Sequence, residues 1–83
     1  MATPIAENED IIIPNNGQIM SITVTVDTTI QNTSTRDCLY QTTETDNVWA
    51  KASTTEGIFI PLGKTLYLKS LGHTITFARI EAT

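Results

Sequence analysis

Apolar and polar residues alternate with a period of two along much of this chain, most clearly over residues 20–27. Met20, Ile22, Val24 and Val26 alternate with Ser21, Thr23, Thr25 and Asp27, the pattern of a strand with one buried face. Ile30 continues the apolar side. Upstream, Ile11, Ile12 and Ile13 form a short apolar run closed by Pro14, which suits a strand end or an edge. Asn15-Asn16-Gly17 then signals a turn, because Asn and Gly tolerate positive φ. Downstream, Arg36–Thr43 predicts a strand with Cys38 and Tyr40 on one face and Leu39 on the other. Val48–Ala52 predicts a short strand around Trp49. Gly57–Pro61 predicts another, with Ile58 and Ile60 opposite Phe59. In Lys64–Leu71, Leu66 and Leu68 turn inward while Thr65, Tyr67 and Lys69 turn outward. His73–Glu81 is the last strand. There Ile75 and Phe77 share a face but Ala78 and Ile80 fall on the other, so either both faces are covered or a bulge shifts the phase. Gln31–Thr35 and Thr43–Asn47 read as polar loops. No segment carries a helical period.

About seven short strands at this spacing predict an all-β fold, a small antiparallel β-sandwich or barrel. Composition agrees. Threonine occurs 16 times and isoleucine 11 times in 83 residues, and both are β-branched residues suited to a pleated surface. The length allows one domain. Charge divides the chain unevenly. Residues 1–10 carry Glu7, Glu9 and Asp10 with no basic residue, and the rest is almost neutral, for a net charge of −4. Residues 1–9 therefore read as a flexible acidic N-terminal arm, dispensable for the fold, ahead of a β domain over residues 10–83.

These features narrow the chemistry. An acidic chain without clustered Lys and Arg is a poor nucleic-acid ligand. No apolar run reaches the length of a membrane span, and the N-terminus lacks the basic-then-apolar form of a signal peptide. One cysteine, Cys38, makes neither an internal disulfide nor a cysteine zinc cage. It reads as a small buried hydrophobe, with Arg36 the only cation close to it in sequence. One histidine, His73, follows Gly72 at a turn and reads as a solvated residue without the partners a nucleophilic triad needs. Glu44 and Asp46 share a polar turn without the ligand spacing of a calcium loop. The four glycines lie far apart and form no phosphate cradle. Asn32-Thr33-Ser34 matches a glycosylation acceptor, but reads as an ordinary loop in so Thr-rich a chain. No catalytic, cofactor or metal site is therefore expected, and the chain reads as non-enzymatic. The candidate binding residues are aromatic: Trp49, with Tyr40 or Tyr67, can stack on a sugar ring or anchor a protein partner, and as a core or interface filler Trp49 needs no ligand.

Several stretches together carry a resemblance. Ile13-Pro14-Asn15-Asn16-Gly17 leads into Ile22-Thr23-Val24-Thr25-Val26, and Gln31-Asn32-Thr33 leads into Cys38-Leu39-Tyr40-Gln41. Trp49-Ala50, Gly57-Ile58-Phe59-Ile60 and Leu66-Tyr67-Leu68-Lys69-Ser70 follow. From about Ile11 to Ile80 this style and strand order resembles small β-rich structural proteins of tailed bacteriophages, of the head-decoration or tail-accessory type. The resemblance carries over no functional residue. It implies a non-enzymatic virion protein, assembled in the host cytoplasm, whose partners are its own copies (a trimer favoured) and other proteins of a head, neck or tail. Thr-rich strand faces suit polar contacts between subunits, and a small core gains from association. The alternative expectation is a small carbohydrate-binding β module using Trp49.

Overall fold

The computed structural model of the chain describes residues 2–6, 9–42, 49–70 and 72–81. Among them the fold is all-β. Nine short strands, against the seven or so expected, build two sheets that face each other across one core. The first sheet contains β1 (Thr3–Pro4), β3 (Met20–Thr23), β5 (Cys38–Gln41), β6 (Ala50–Ala52) and β8 (Thr65–Lys69), in the order β1-β3-β8-β5-β6. The second contains β2 (Ile11–Ile13), β4 (Thr28–Asn32), β7 (Gly57–Ile60) and β9 (Ile75–Glu81), in the order β2-β9-β4-β7. Every pairing is antiparallel except β1 with β3. The arrangement is a sandwich. Apart from the β5–β6 pair, each strand lies in the opposite sheet from the one before it.

That alternation corrects one expected element. Met20–Val26 with Ile30 is not a single strand: β3 ends at Thr23, the chain crosses between sheets, and β4 begins at Thr28 in the second sheet. Gln31 and Asn32, expected in a loop, complete β4. The crossover is pinned at its start, where the Val24 amide donates to the Lys64 carbonyl (3.3 Å) and the Gly63 amide to the Val24 carbonyl (2.8 Å). Gly63 holds φ at 81° there, which glycine adopts without strain.

The core draws on both sheets. Ile22, Leu66, Leu68, Cys38 and Ala52 meet Ile11, Ile13, Ile30, Ile58, Ile60, Ile75 and Phe77, with Val24 between them at the crossover. Inward and outward positions follow the expected parity: Ile58 and Ile60 are buried while Phe59 is not, and Leu66 and Leu68 are buried beneath a half-buried Tyr67. Thr28 is buried in this apolar setting with its hydroxyl donating to the Val26 carbonyl at 2.8 Å, as burial of a hydroxyl demands.

The N-terminus departs from the expected arm. Thr3 and Pro4 add a parallel edge strand to β3. The Thr3 and Ile5 amides donate to the Ile19 and Ser21 carbonyls, both at 2.8 Å. Pro4, which has no amide hydrogen, falls between these two donors, where an edge strand asks nothing of it. Ile5 is buried in the core. Farther on, Arg79 Nη2 donates to the carbonyls of Ala6 (3.3 Å) and Glu9 (3.2 Å). Glu9, read as part of a mobile tail, is thus held near the apolar anchor Ile5. Ile5→Ala is expected to lower stability by about 2–3 kcal/mol, the usual cost of truncating a buried isoleucine. Removing residues 1–9 should cost more, because edge pairing is lost as well. Urea midpoints of the two variants against the parent check this.

Candidate functional site

Strand register places the aromatic candidates on two different faces. Across the first sheet, Tyr67 pairs with Ser21 on one side and Gln41 on the other. Leu39 pairs with Lys69 and with Lys51. All of these residues share the outer face. Trp49, just ahead of β6, joins them: the Lys69 ammonium lies 4.4 Å from the centre of its indole ring, a cation–π contact. Tyr40 lies opposite Leu68 and Ala50 on the inner face and packs against the core. Tyr40, expected beside Trp49, is therefore on the opposite side of the sheet from it. Successive residues of a strand point to opposite sides, and Tyr40 has the parity of Cys38 and Leu68. Trp49 and Tyr67 share a face and are both half-buried, with one face of the indole already occupied by Lys69.

Cys38 has no accessible surface, and its thiol points toward the Lys69 carbonyl at 3.4 Å. Arg36 is exposed in the preceding loop. Burial pushes the Cys38 thiol up from 9.0 to about 12, the reverse of what a nucleophile needs. Below pH 9 the thiol is protonated whether the chain is folded or not, so it adds no pH dependence there. Above pH 9 the unfolded chain releases a proton that the folded chain keeps, and stability falls as pH rises from 9 toward about 12. The alkaline slope of unfolding free energy against pH should be shallower in Cys38→Ala than in the parent. In the native parent at neutral pH, a thiol reagent should label Cys38 only as fast as the chain opens.

The remaining candidates divide simply. His73 is exposed, and its carbonyl accepts from the Ser70 hydroxyl. Glu44 and Asp46 lie outside the described residues, as does Glu7. Glu9 is spent locally: its Oε1 accepts from the Ala6 amide at 2.8 Å. No group of three or more His, Cys, Asp or Glu suited to a metal occurs among the described residues. Asn32 is no glycan acceptor in this fold. It is buried, and its Nδ2 donates to the carbonyls of Arg36 (2.8 Å) and Ala52 (3.1 Å).

A different surface emerges on the second sheet. Its outward positions are Ile12 on β2, Thr76, Ala78 and Ile80 on β9, Thr29 and Gln31 on β4, and Gly57 and Phe59 on β7. None of the eight is ionisable. Ile12, Ile80 and Phe59 are 48%, 57% and 60% exposed, large values for apolar side chains that share one sheet face. β9 pairs with β4 and β2 in unbroken register, so no bulge accounts for Ala78 and Ile80. They point away from the core onto a face that the described residues leave open. The two-phase pattern of His73–Glu81 and the middle isoleucine of Ile11–Ile13 were the sequence signals for this surface.

Comparison of the chain with models of protein families, with curated proteins and with solved structures finds no match in any of the three.

Proposed function

We propose that this chain is a non-enzymatic structural subunit, one that forms homo-oligomers and attaches to the head, neck or tail of a tailed bacteriophage. The single observation that supports it most is the outer face of the second sheet, where Ile12, Phe59 and Ile80 stand exposed and none of the eight outward strand positions is charged. Surfaces of this kind serve association. The virion setting comes from the resemblance of the strand succession to phage structural proteins. In this reading the partners are other copies of the chain and other virion proteins, met during assembly in the host cytoplasm.

The test is sedimentation of mature particles of the phage that encodes the chain. Co-migration of the chain with particles through a density gradient, resistant to a salt wash, is the expected result. A chain present in the lysate but absent from purified particles overturns the proposal.

The carbohydrate alternative draws on Trp49 and Tyr67, which share the outer face of the first sheet with Lys51 and Lys69. It has less support, since Tyr40 is on the other side of that sheet and Lys69 already caps the indole. A tryptophan emission change on titration with oligosaccharides, lost in Trp49→Ala, would favour it over the structural role.

A further inference from the structure

We infer that the outer face of the second sheet is covered by the same face of a second copy of this chain, the two related by a two-fold axis. This rests on the reading of the chain as an association subunit and names its first partner.

Relief on the face is the first argument. Register sets Ile80, Thr29 and Phe59 side by side in one row, and Ala78, Gln31 and Gly57 in the next. Tall apolar groups thus stand beside a floor of small ones. At Gly57 a Cβ would meet only Thr29 Cγ2 at 3.5 Å and the Ile30 carbonyl oxygen at 3.8 Å, so the outward space above that glycine is open. Gln31, the one long polar group of the row, donates its amide to the Thr55 carbonyl at 2.9 Å and is held toward the β6–β7 turn. A surface carrying both a knob (Phe59) and an adjacent hollow (Gly57) is self-complementary. Each copy seats its phenyl ring over the other's glycine, as an isologous contact requires.

Charge is the second argument. The chain carries −4, which opposes association of identical copies. Its eight outer positions on this sheet hold none of that charge, so covering these positions desolvates no ion. A strongly basic or acidic partner would find no charge to pair with at these eight positions.

A face meeting itself closes as a pair, so this contact favours an even number of copies over the trimer that the resemblance implies.

Native mass spectrometry and sedimentation of the full chain at micromolar concentration test the inference. The expected mass is twice 9.1 kDa. Phe59→Glu should weaken pairing by roughly a hundredfold or more, because it removes the apolar knob and puts a charge at the contact on both copies. Gly57→Val fills the hollow without adding charge, suits a strand, and should also shift the population to monomer while circular dichroism and melting keep the parent's form. Should Phe59→Glu fail to fold, Gly57→Val and cross-linking of Ala78→Cys with a flexible bis-maleimide long enough to bridge sheets stacked about 10 Å apart still decide the matter, since buried Cys38 does not compete. A monomeric parent, a purely odd-numbered assembly, or a dimer untouched by both face variants overturns the inference. A monomer that still co-sediments with particles defeats self-pairing and leaves the virion reading standing; a dimer absent from particles does the reverse.

Discussion

Val24→Asp is expected to abolish the folded state. Val24 is 1% exposed and sits where β3 leaves the first sheet, with both its backbone groups already bonded to Lys64 and Gly63. The core around it is isoleucine, leucine and phenylalanine, which offer a carboxylate neither a cation nor a donor. An uncompensated buried charge costs several kcal/mol. A chain of this size has only about 4–12 kcal/mol of total stability to lose. The variant should show no cooperative thermal transition and little native circular dichroism. The informative control is Val26→Asp. Val26 has the same parity and lies in the same alternating run, yet it is exposed in the crossover. That change should alter stability by about 0.5 kcal/mol or less, as surface substitutions usually do. Similar damage from both would mean that the strand continues past Thr23 and that the crossover is misplaced.

Asn32 is the second position at which a single change should be severe. Its Oδ1 accepts from the Ser34 amide (2.9 Å) and the Ser34 hydroxyl (2.8 Å), while its Nδ2 donates to the carbonyls of Arg36 and Ala52. Its own amide donates to the Glu56 carbonyl at 3.1 Å, and its carbonyl accepts from Thr55 at 3.0 Å. One side chain therefore folds the loop after β4 and secures the end of β6, and its backbone secures the turn before β7. That turn includes Thr55 at φ 69°, a strained setting for a β-branched residue. Asn32→Ala removes four hydrogen bonds and leaves buried carbonyls without donors, so a loss of about 3 kcal/mol is expected. Asn32→Asp separates the two functions. It keeps the acceptor for Ser34 but points a carboxylate at two carbonyl oxygens, which raises its pKa in the folded state above the roughly 3.9 of an unfolded aspartate. Stability of Asn32→Asp should then be highest below about pH 4 and fall as pH rises and the group ionises. The parent has asparagine here and lacks this contribution. Denaturant midpoints of parent and variant across acid pH measure the difference, and a flat difference would show that Asn32 does not make these bonds.

Position 32 also shows what a linear pattern hides. Asn32-Thr33-Ser34 reads as a polar loop because asparagine, threonine and serine favour turns. Whether such a residue is solvated or buried depends on carbonyls supplied from elsewhere. The Ala52 carbonyl comes from twenty positions away in the chain, and no local signal announces it. The crossover at residues 24–27 was hidden differently. Even-numbered residues face inward in β3 and again in β4, so the period of two runs on while the chain changes sheets. At the N-terminus, net charge outweighed a single isoleucine in the sequence reading. The parallel ladder that Thr3 and Ile5 make with β3 is a non-local pairing with no periodic trace in so short a strand.

The sequence by itself determined the all-β class and the inward residues of β5, β7 and β8, because side chains alternate strictly along a strand and β-branched residues fill a pleated face. It also placed Cys38 as an unreactive core residue. Tertiary structure alone decided that there are two sheets and not a closed barrel, that Tyr40 is parted from Trp49 and Tyr67, and that the first residues are anchored. It decided too that Ile12, Phe59 and Ile80, spread over three strands of the chain, lie together on one uncharged face. Each of these depends on which strand lies beside which, and pairing partners are chosen by the packing of the whole core.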